Sequence, residues 1–427
     1  MTPLNLLICL LCILLSPFAA AGLALIHQGL GRSRSAAHAM LGTLCVLAIS
    51  AIVTALCGAA FAGVDGGAFH SFIAGGVPWN WLGNEPLLAR NMSADGSAAP
   101  IILCLHVFAS GLAAIIPLSA GTDRWRLAPI CLSTVVFSAI TYPLIAHWVW
   151  GGGWLAQIGK HFGVASYLDV GGAGVIHTLG GLMALSVVWV LGPRRGKYTN
   201  DAVSTAIPGH NIVLVLFGCL IALVGWIGLE SATSILFYKA NALQITGVIV
   251  NAMLSASAGC LAAVGTTQLR YRKPDASLSA NGWIAGLVAG SAGCAYITPL
   301  AAVTTGAVAG LMLIFLVELL EMRLLIDDPG GAISVHAGAG IWGLISVGMF
   351  IPLSTSSRGQ QMISQFVGIA TLLGLMLPVM HGINLLLTRV LPYRVDRDGD
   401  WQGMDIRELG AGAYPEFVIH SDEFVPR

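Results

Sequence analysis

Two histidines occupy the same position in two copies of one motif. Residues 169–177 and 328–336 both read D-x-G-G-A-x-x-(I/V)-H, with five identities in nine positions. The copies are 159 positions apart, and each opens a long apolar run. The pattern indicates an internal repeat that places one histidine, His177 or His336, in each of two hydrophobic helices.

A histidine in such a setting has three uses. Imidazole can donate and accept a hydrogen bond at once, and it exchanges a proton near neutral pH. The pair could therefore be a structural hydrogen-bonded contact, the lining of a proton-handling pore, or ligands of a metal or haem. Zinc takes three or four ligands, and no cysteine or glutamate is expected at the same depth. Ligation is the use that the sequence favours least, and we expect neither a metal nor a cofactor.

The composition defines the class of protein. Of the 427 residues, 56% are hydrophobic and 9% are charged, and the mean hydropathy is +0.83. Soluble domains carry about 25% charged residues, so the chain is an integral membrane protein. A formal net charge of zero excludes a strongly basic nucleic-acid-binding protein. The nine cysteines lie mostly in apolar runs and are interpreted as buried hydrophobic residues.

Eleven apolar segments are long enough to be transmembrane helices, which need about 20 residues. Continuous runs rather than ten-residue alternations exclude a barrel, so we predict an all-α membrane fold. The first segment is interpreted as a retained helix and not as a cleaved signal peptide. The segments lie near residues 4–27, 38–62, 99–120, 127–147, 170–191, 211–230, 244–269, 277–297, 299–321, 332–352 and 361–390.

The basic residues orient these helices. With an external N-terminus, 16 of the 20 lysine and arginine residues fall on the inside, as the positive-inside rule requires. The C-terminus is then cytoplasmic, and the chain divides into a transmembrane domain (1–390) and a tail (391–427). Helices one to five (about 1–195) and six to ten (about 205–355) are predicted to be halves of inverted topology, followed by an eleventh helix (361–390).

Opposite orientations allow the two histidines to meet. Asp169 begins a helix on the outside and Asp328 begins one on the inside, and each histidine follows eight residues later. Eight residues of helix rise about 12 Å, close to the hydrocarbon half-thickness of about 15 Å. His177 and His336 are therefore expected near the bilayer centre, where inverted repeats place functional sites. Asp169 is also expected to cap free backbone N–H groups at its helix start.

Further motifs, in order along nearly all of the chain, identify a family. They are G-L-A-L-x-x-x-G-x-x-R-S (22–33), A-H-W-V-W-G-G-G (146–153), P-G-H-N-I (208–212), the two histidine segments, and G-M-D-I…G…A-Y (403–414). Together they resemble the ammonium transporter (Amt/Mep/Rhesus) family. The resemblance implies an inverted five-plus-five repeat with an eleventh helix, one pore in each protomer, and a homotrimer in the lipid bilayer.

The resemblance also implies roles for individual residues. His177 and His336 match the twin histidines of the pore, and Asp169 matches the aspartate at the base of the outer vestibule. Trp150 matches the tryptophan of the outer ammonium site, where Thr233 replaces the family's serine. The implied activity is ammonium or ammonia transport and not catalysis: ammonium is recruited, deprotonated and passed through an apolar pore.

The chain departs from the family pattern beside this site. Where the family reads W-F-G-F-N-x-G-S, residues 226–233 read W-I-G-L-E-S-A-T. Leu229 replaces an aromatic gate residue and Glu230 an asparagine, while Phe108 is an open candidate for the other gate ring. Glu230 could raise cation affinity, act as a neutral hydrogen-bond donor, or pair with Lys239 outside the pore. The altered gate keeps an ammonium sensor as the alternative to a transporter.

The tail carries the last motif. Gly403, Asp405, Gly410 and Tyr414 match the family element that packs beneath a neighbouring protomer and couples the protomers. The resemblance further implies a bacterial inner-membrane protein whose cytoplasmic face could bind a PII-type signal protein. A sensor would signal through this tail or through such a partner.

Glu230→Gln is expected to change ammonium uptake or the apparent affinity for ammonium, because it removes a carboxyl group beside the predicted vestibule. Uptake kinetics in proteoliposomes measure both quantities. Wild-type kinetics in this variant would remove Glu230 from the site.

Overall fold

The structure is a computed structural model that describes residues 2–64, 66–90, 98–353 and 356–414. The described part of the chain is a bundle of long helices, as the composition predicts, with a β-hairpin at one end. In chain order the long helices are α1 (Pro3–Leu30), α2 (Ser33–Ala62), α3 (Ala99–Gly121), α4 (Leu127–Val149), α5 (Ala173–Leu191), α6 (Ile212–Tyr238), α7 (Ala242–Tyr271), α8 (Ala276–Ser291), α9 (Pro299–Arg323), α10 (Ile333–Phe350) and α11 (Arg358–Leu387). Short helical segments lie at Ile158–Phe162, Arg397–Gln402 and Asp405–Leu409.

Ten of the described helices are long and apolar enough to cross a membrane. The exception is α8, which has 16 residues and ends at Ser291, although the sequence predicts a segment from 277 to 297. The chain turns after Ser291, and the N–H groups of Tyr296 and Ile297 both bond to the carbonyl of Gly293. The helix is nevertheless largely buried within the bundle. An all-α, multi-pass membrane fold follows.

The eleventh helix holds the segment that leads into α5. Gln365 donates to the carbonyl of Leu168 at 2.8 Å and accepts from the Leu168 N–H at 3.0 Å. Its side-chain amide also donates to the carbonyl of Leu344 on α10, at 3.2 Å. One buried glutamine of α11 therefore ties the start of α5 to α10.

A two-stranded hairpin, which the all-helical prediction lacks, covers one end of the bundle. Strand β1 (Phe69–Ala74) pairs antiparallel with β2 (Val77–Gly83). Asn80 on β2 donates to the carbonyl of Gly152 at 3.1 Å and shares a hydrogen bond of 2.9 Å with His147. The hairpin thereby supports the turn after α4, where Trp150 lies.

Four buried charged residues join the loops at the opposite end. Arg194 forms a two-pronged pair with Asp327, with both N–O distances at 2.9 Å, and also reaches Asp123 at 3.3 Å. Arg124 is fully buried and donates to the carbonyl of Asp327 at 2.8 Å. Burial alone would raise the pKa of Asp327, but the guanidinium groups of Arg124 and Arg194 outweigh it and hold that pKa at about 2.

Asp327→Asn is expected to lower the free energy of unfolding by about 3–5 kcal/mol at neutral pH, because it leaves buried guanidinium groups without their counter-charge. The wild type should also lose stability in acid. Since the folded-state pKa of Asp327 lies below the ordinary 3.8, its contribution is present above pH 3.8 and is lost as the pH falls through about 2.

Thermal unfolding of the detergent-solubilised protein checks both expectations. Asp201→Asn is the matched control, because Asp201 is exposed. Equal unfolding temperatures for Asp327→Asn and the control would contradict the stabilising role of Asp327 in the buried charged cluster.

Candidate functional site

Each histidine segment begins with an aspartate that caps a helix. Asp169 Oδ2 accepts hydrogen bonds from two backbone N–H groups in the first turn of α5, both at 2.8 Å. Asp328 accepts from two N–H groups at the start of α10, at 3.0 and 2.7 Å. The predicted capping role of Asp169 is confirmed, and the sequence repeat is also a repeat of structure. We name the two ends of the bundle the Asp169 end and the Asp328 end.

Both histidines lie in a widened helical turn. The first turns of α5 and α10, Ala173–Thr178 and Ile333–Gly338, are π-helical. Turns of this kind are rare in proteins, and those that do occur are often found at functional sites. Because both halves contain such a turn, His177 and His336 lie in similar backbone conformations.

Two glycines at equivalent repeat positions let the halves approach. A Cβ on Gly181 of α5 would collide with the backbone nitrogen of Ala337, in the widened turn of α10. A Cβ on Gly340 of α10 would lie 2.6 Å from the carbonyl oxygen of Ala173, in the widened turn of α5. Each half therefore leaves room for the turn that carries the other half's histidine.

The two imidazole rings meet where these turns cross. The ring centroids of His177 and His336 are 5.4 Å apart, with an interplanar angle of 24°. Their exposed fractions are 0% and 2%. Three nitrogens of the pair lack a hydrogen-bond partner among the described residues: both ring nitrogens of His177 and Nδ1 of His336. The predicted meeting of the pair is observed, and these nitrogens are free to bind a small polar molecule.

A tryptophan of α6 fixes one face of the pair. The fully buried Trp226 stacks on His177 at 4.6 Å, with an angle of 6°. Its indole N–H donates to Ser291 Oγ at 3.1 Å, and the Ser291 hydroxyl donates to Glu230 Oε1 at 2.6 Å. A chain of contacts thus links the carboxyl group of Glu230 to the histidine pair.

Glu230 is 1% exposed, and its other oxygen has no hydrogen-bond partner within the described ranges. Within the same ranges it forms no ion pair with Lys239, so the structure does not show that one of the three alternatives left open by the sequence. Thr233 is buried and donates to the carbonyl of Glu230 at 3.0 Å. Leu229 is 1% exposed.

An aromatic cavity lies at the Asp169 end. It has a volume of about 710 Å³ and is lined by Trp150 and Phe237, among others, with Lys160 and Lys239 also at its wall. The rings of Trp150 and Phe237 stack at 5.0 Å, with an angle of 10°. The indole N–H of Trp150 donates to the carbonyl of Asp169 at 2.8 Å, so the cavity wall is joined to the start of α5.

The ring next to Trp150 on α3 is that of His106 and not that of Phe108. The centroids of His106 and Trp150 are 6.4 Å apart, and His106 shares a 3.0 Å hydrogen bond with Tyr142. Residues two apart on a helix point to different faces, and Phe108 packs, partly buried, against the hydrophobic core.

The tail motif packs on the Asp328 end of its own chain. Asp405 caps α2, accepting from the N–H groups of His38 at 2.8 Å and Ala37 at 3.2 Å. The hydroxyl of Tyr414 accepts from Gln28 at 3.2 Å. Both Gly403 (φ +96°) and Gly410 (φ +76°) adopt positive φ, and a side chain on Gly403 would collide with Arg34. The final part of the predicted tail, 415–427, lies outside the described residues.

Sequence reasoning missed three residues of this site. Trp226 is three residues before Leu229, one helical turn away, and this spacing could have indicated a pore-facing ring. Ser291 and Phe237 carry no comparable signal, because their roles depend on contacts between elements distant in sequence.

The fold and the paired buried histidines define a class: a multi-pass membrane protein with an inverted repeat and a polar pair at its centre. Residues 6–414 match the family model described as Ammonium Transporter Family. The chain therefore belongs to the ammonium transporter family.

Related sequences and solved structures support the same family. The chain is 34% identical to "Ammonium transporter Amt2" of Archaeoglobus fulgidus, over 99% of this chain and 90% of that protein. It is 28% identical to "Ammonium transporter" of Bacillus subtilis, over 95% and 97%. A solved "Sensor Amt Protein" matches with a TM-score of 0.85 and 25% identity, over 95% and 98% of the two chains. Candida albicans Mep2, at 21% identity, 98% and 91% coverage and a TM-score of 0.81, shares the fold.

Gly181→Ala is expected to destabilise the protein by about 1–3 kcal/mol and to separate the histidines, because the new methyl group must displace the backbone of α10. The control is Gly382→Ala on α11, where a Cβ meets nothing within 4 Å. Helix propensity favours that change by up to about 1 kcal/mol. Thermal unfolding compares the two variants, and equal shifts would show that the crossing is not tightly packed.

Proposed function

We propose that this protein conducts ammonium or ammonia across the membrane, with the pore passing the His177–His336 pair. The observation that carries the proposal is this pair: two buried imidazoles 5.4 Å apart, with three of their four ring nitrogens lacking partners among the described residues. A buried polar pair without internal hydrogen bonds is costly. Such a cost is consistent with a site whose nitrogens bind a passing molecule.

Ammonium recruitment would occur in the aromatic cavity. Placing a small cation within an apolar bundle costs at least several kcal/mol. The stacked rings of Trp150 and Phe237 can return about 0.5–2 kcal/mol per ring through cation–π contact. Asp169 and Glu230 add carboxyl groups near the start of α5, while Thr233 keeps its hydroxyl on its own helix. Lys160 and Lys239 at the wall oppose a high cation affinity.

Deprotonation converts the charged ammonium ion into a neutral molecule. Ammonium gives up one proton to become ammonia, which is neutral and crosses an apolar passage at lower cost than the ion. An imidazole nitrogen of His177 or His336 can accept that proton, and the second ring can receive it in turn. Trp226 holds the His177 ring by stacking, so that the pair keeps its geometry during transfer.

Several finer assignments belong to the same proposal. The Asp169 end faces outward and the Asp328 end inward, which places the tail in the cytoplasm of a bacterium, beneath its inner membrane. Three copies form a homotrimer with one pore each, coupled through the tail residues Gly403, Asp405, Gly410 and Tyr414. A PII-type signal protein is a partner of the cytoplasmic face. Leu229, with Phe108 or the adjacent His106, forms the gate above the pair.

Ammonium sensing is the second candidate function. It is favoured by the aliphatic Leu229 and the carboxyl group of Glu230 beside the pore, and by the 25% identity to a solved sensor protein over nearly the full chain. A sensor would bind ammonium in the same cavity, conduct little or none, and change the position of its tail. Ammonium binding without flux would favour this function.

Solid-supported-membrane current in proteoliposomes after an ammonium jump tests the transport proposal. We expect a current in the wild type, and a loss of about tenfold or more in His177→Ala and His336→Ala, since a positioned proton acceptor contributes at least that much. His381→Ala is the control, because His381 contacts Trp189 of α5 and Ser186 instead of the pair. Wild-type protein with neither current nor ammonia flux would overturn the proposal.

A further inference from the structure

The β-hairpin exposes an apolar surface at the Asp169 end. Strand β1 is exposed along its whole length, and the exposed fractions of Phe72, Ile73 and Trp81 are 52%, 79% and 41%. Residues 66–84 contain no aspartate, glutamate, lysine or arginine. Exposed apolar surface of this kind marks a site of interaction with a protein or a membrane. The hairpin therefore needs a partner, and the neighbouring helices indicate which one.

The hairpin is fastened to the ends of two spanning helices. The indole N–H of Trp148, near the end of α4, donates to the carbonyl of Trp81 at 2.8 Å. The backbone N–H of Glu85 donates to the carbonyl of Ala60, near the end of α2, at 3.2 Å. Spanning helices end where the hydrocarbon core meets the headgroup region. The hairpin therefore lies at the level of the lipid headgroups.

The segment after the hairpin runs back along α2. The backbone N–H of Leu88 donates to the carbonyl of Leu56 at 2.8 Å. Leu56 lies about 9 Å of helix before the end of α2 at Ala62, and Leu87 and Leu88 are both exposed. Two exposed leucines thus lie below the helix end, at a depth where a spanning helix meets hydrocarbon.

Helix α2 presents an exposed apolar side next to this segment. Leu44, Ile52 and Leu56 are all exposed, and their spacing by multiples of four places them on one side of the helix. On a membrane-spanning helix such side chains are suited to contact with acyl chains. Because Leu88 is bonded to Leu56, the apolar surface continues from α2 through Leu88 to the hairpin.

The hairpin carries the side-chain types that favour the membrane–water interface, where tryptophan is enriched at the level of the headgroups. The ring of Trp79 stacks on Phe72 at 6.3 Å and on His161 at 4.8 Å. Its indole N–H donates to the carbonyl of Ala74 at 3.1 Å. The aromatic surface is therefore already ordered, so little side-chain freedom is lost on contact with lipid.

We propose that the hairpin and the following Leu87 and Leu88 are inserted into the headgroup region of the bilayer leaflet at the Asp169 end, beside α2. The partner is an uncharged lipid surface, because residues 66–84 offer apolar and aromatic groups and no carboxylate, ammonium or guanidinium group. Insertion also steadies the outer cavity, since Asn80 of β2 donates to the carbonyl of Gly152 in the turn that carries Trp150.

Depth-dependent fluorescence quenching tests the insertion in full-length protein reconstituted into phosphatidylcholine liposomes. A solvatochromic fluorescent amino acid replaces Ile73, and a second variant carries it at Phe72, so that one misfolded variant does not decide the test. Ile52 on α2 and Val203 in the loop before α6 are 60% and 59% exposed and are the matched control positions in hydrocarbon and in water. Lipids brominated near the ester groups report contact with the headgroup region, and iodide on both sides of the membrane reports contact with water.

We expect these brominated lipids to quench the probes at Ile73 and Phe72 more strongly than the probe at Val203, and iodide to quench them more weakly. Their emission should be shifted to the blue of the Val203 probe. Quenching by iodide without quenching by brominated lipids overturns the proposal, because the hairpin then lies in water. Protection from both quenchers also overturns it, because a second copy or another protein then covers the hairpin.

Two further changes separate apolar contact from charge attraction. Ile73→Asp, with the probe at Phe72, should remove most of the quenching by brominated lipids, because a carboxylate is costly to take out of water. The matched control Val203→Asp should leave that quenching unchanged, and so should replacement of part of the phosphatidylcholine by phosphatidylglycerol. Quenching that survives Ile73→Asp, or that requires phosphatidylglycerol, overturns the proposal. No transport is measured, so failure of the insertion and failure of the proposed function are observed separately.

Discussion

Two imidazole rings inside a hydrophobic bundle are the constraint on which the rest of this structure depends. Each ring carries nitrogens that need partners, and the neighbouring helices offer stacking in place of hydrogen bonds. The His177–His336 contact of 5.4 Å requires two helices to cross closely. Gly181 and Gly340 permit that crossing, and Asp169 and Asp328 fix where each helix begins. The inverted repeat supplies all of these features twice.

The charged side chains are arranged differently at the two ends of the bundle. At the Asp169 end, aromatic rings and two lysines line a wide cavity, and Trp150 of its wall donates to the carbonyl of Asp169. At the Asp328 end, a buried cluster around Arg194 and Asp327 fastens three loops, and Asp405 of the tail caps α2. The tail is therefore packed against the same end that holds His38. A movement of the tail would change the surroundings of His38, because the carboxylate of Asp405 binds the backbone N–H of His38.

The sequence predicted the architecture well because membrane spans depend on local composition. Ten of the eleven predicted segments form helices long enough to span, and α8 is a shorter helix at the predicted place. The prediction assigned no element to the hairpin, whose strands lie in a segment without a transmembrane signal. The sequence left three roles open for Glu230, because its hydrogen-bond partner, Ser291, is 61 residues away on another helix.

The sequence by itself determined the class, the repeat and the pair of histidines, because hydropathy, basic-residue placement and a repeated motif are all local properties. Only the tertiary structure decided which groups surround that pair. It places Trp226 on His177, Phe237 on Trp150, and His106 in place of Phe108 next to Trp150. These contacts join residues far apart in the chain, so helix packing and not sequence spacing determines them.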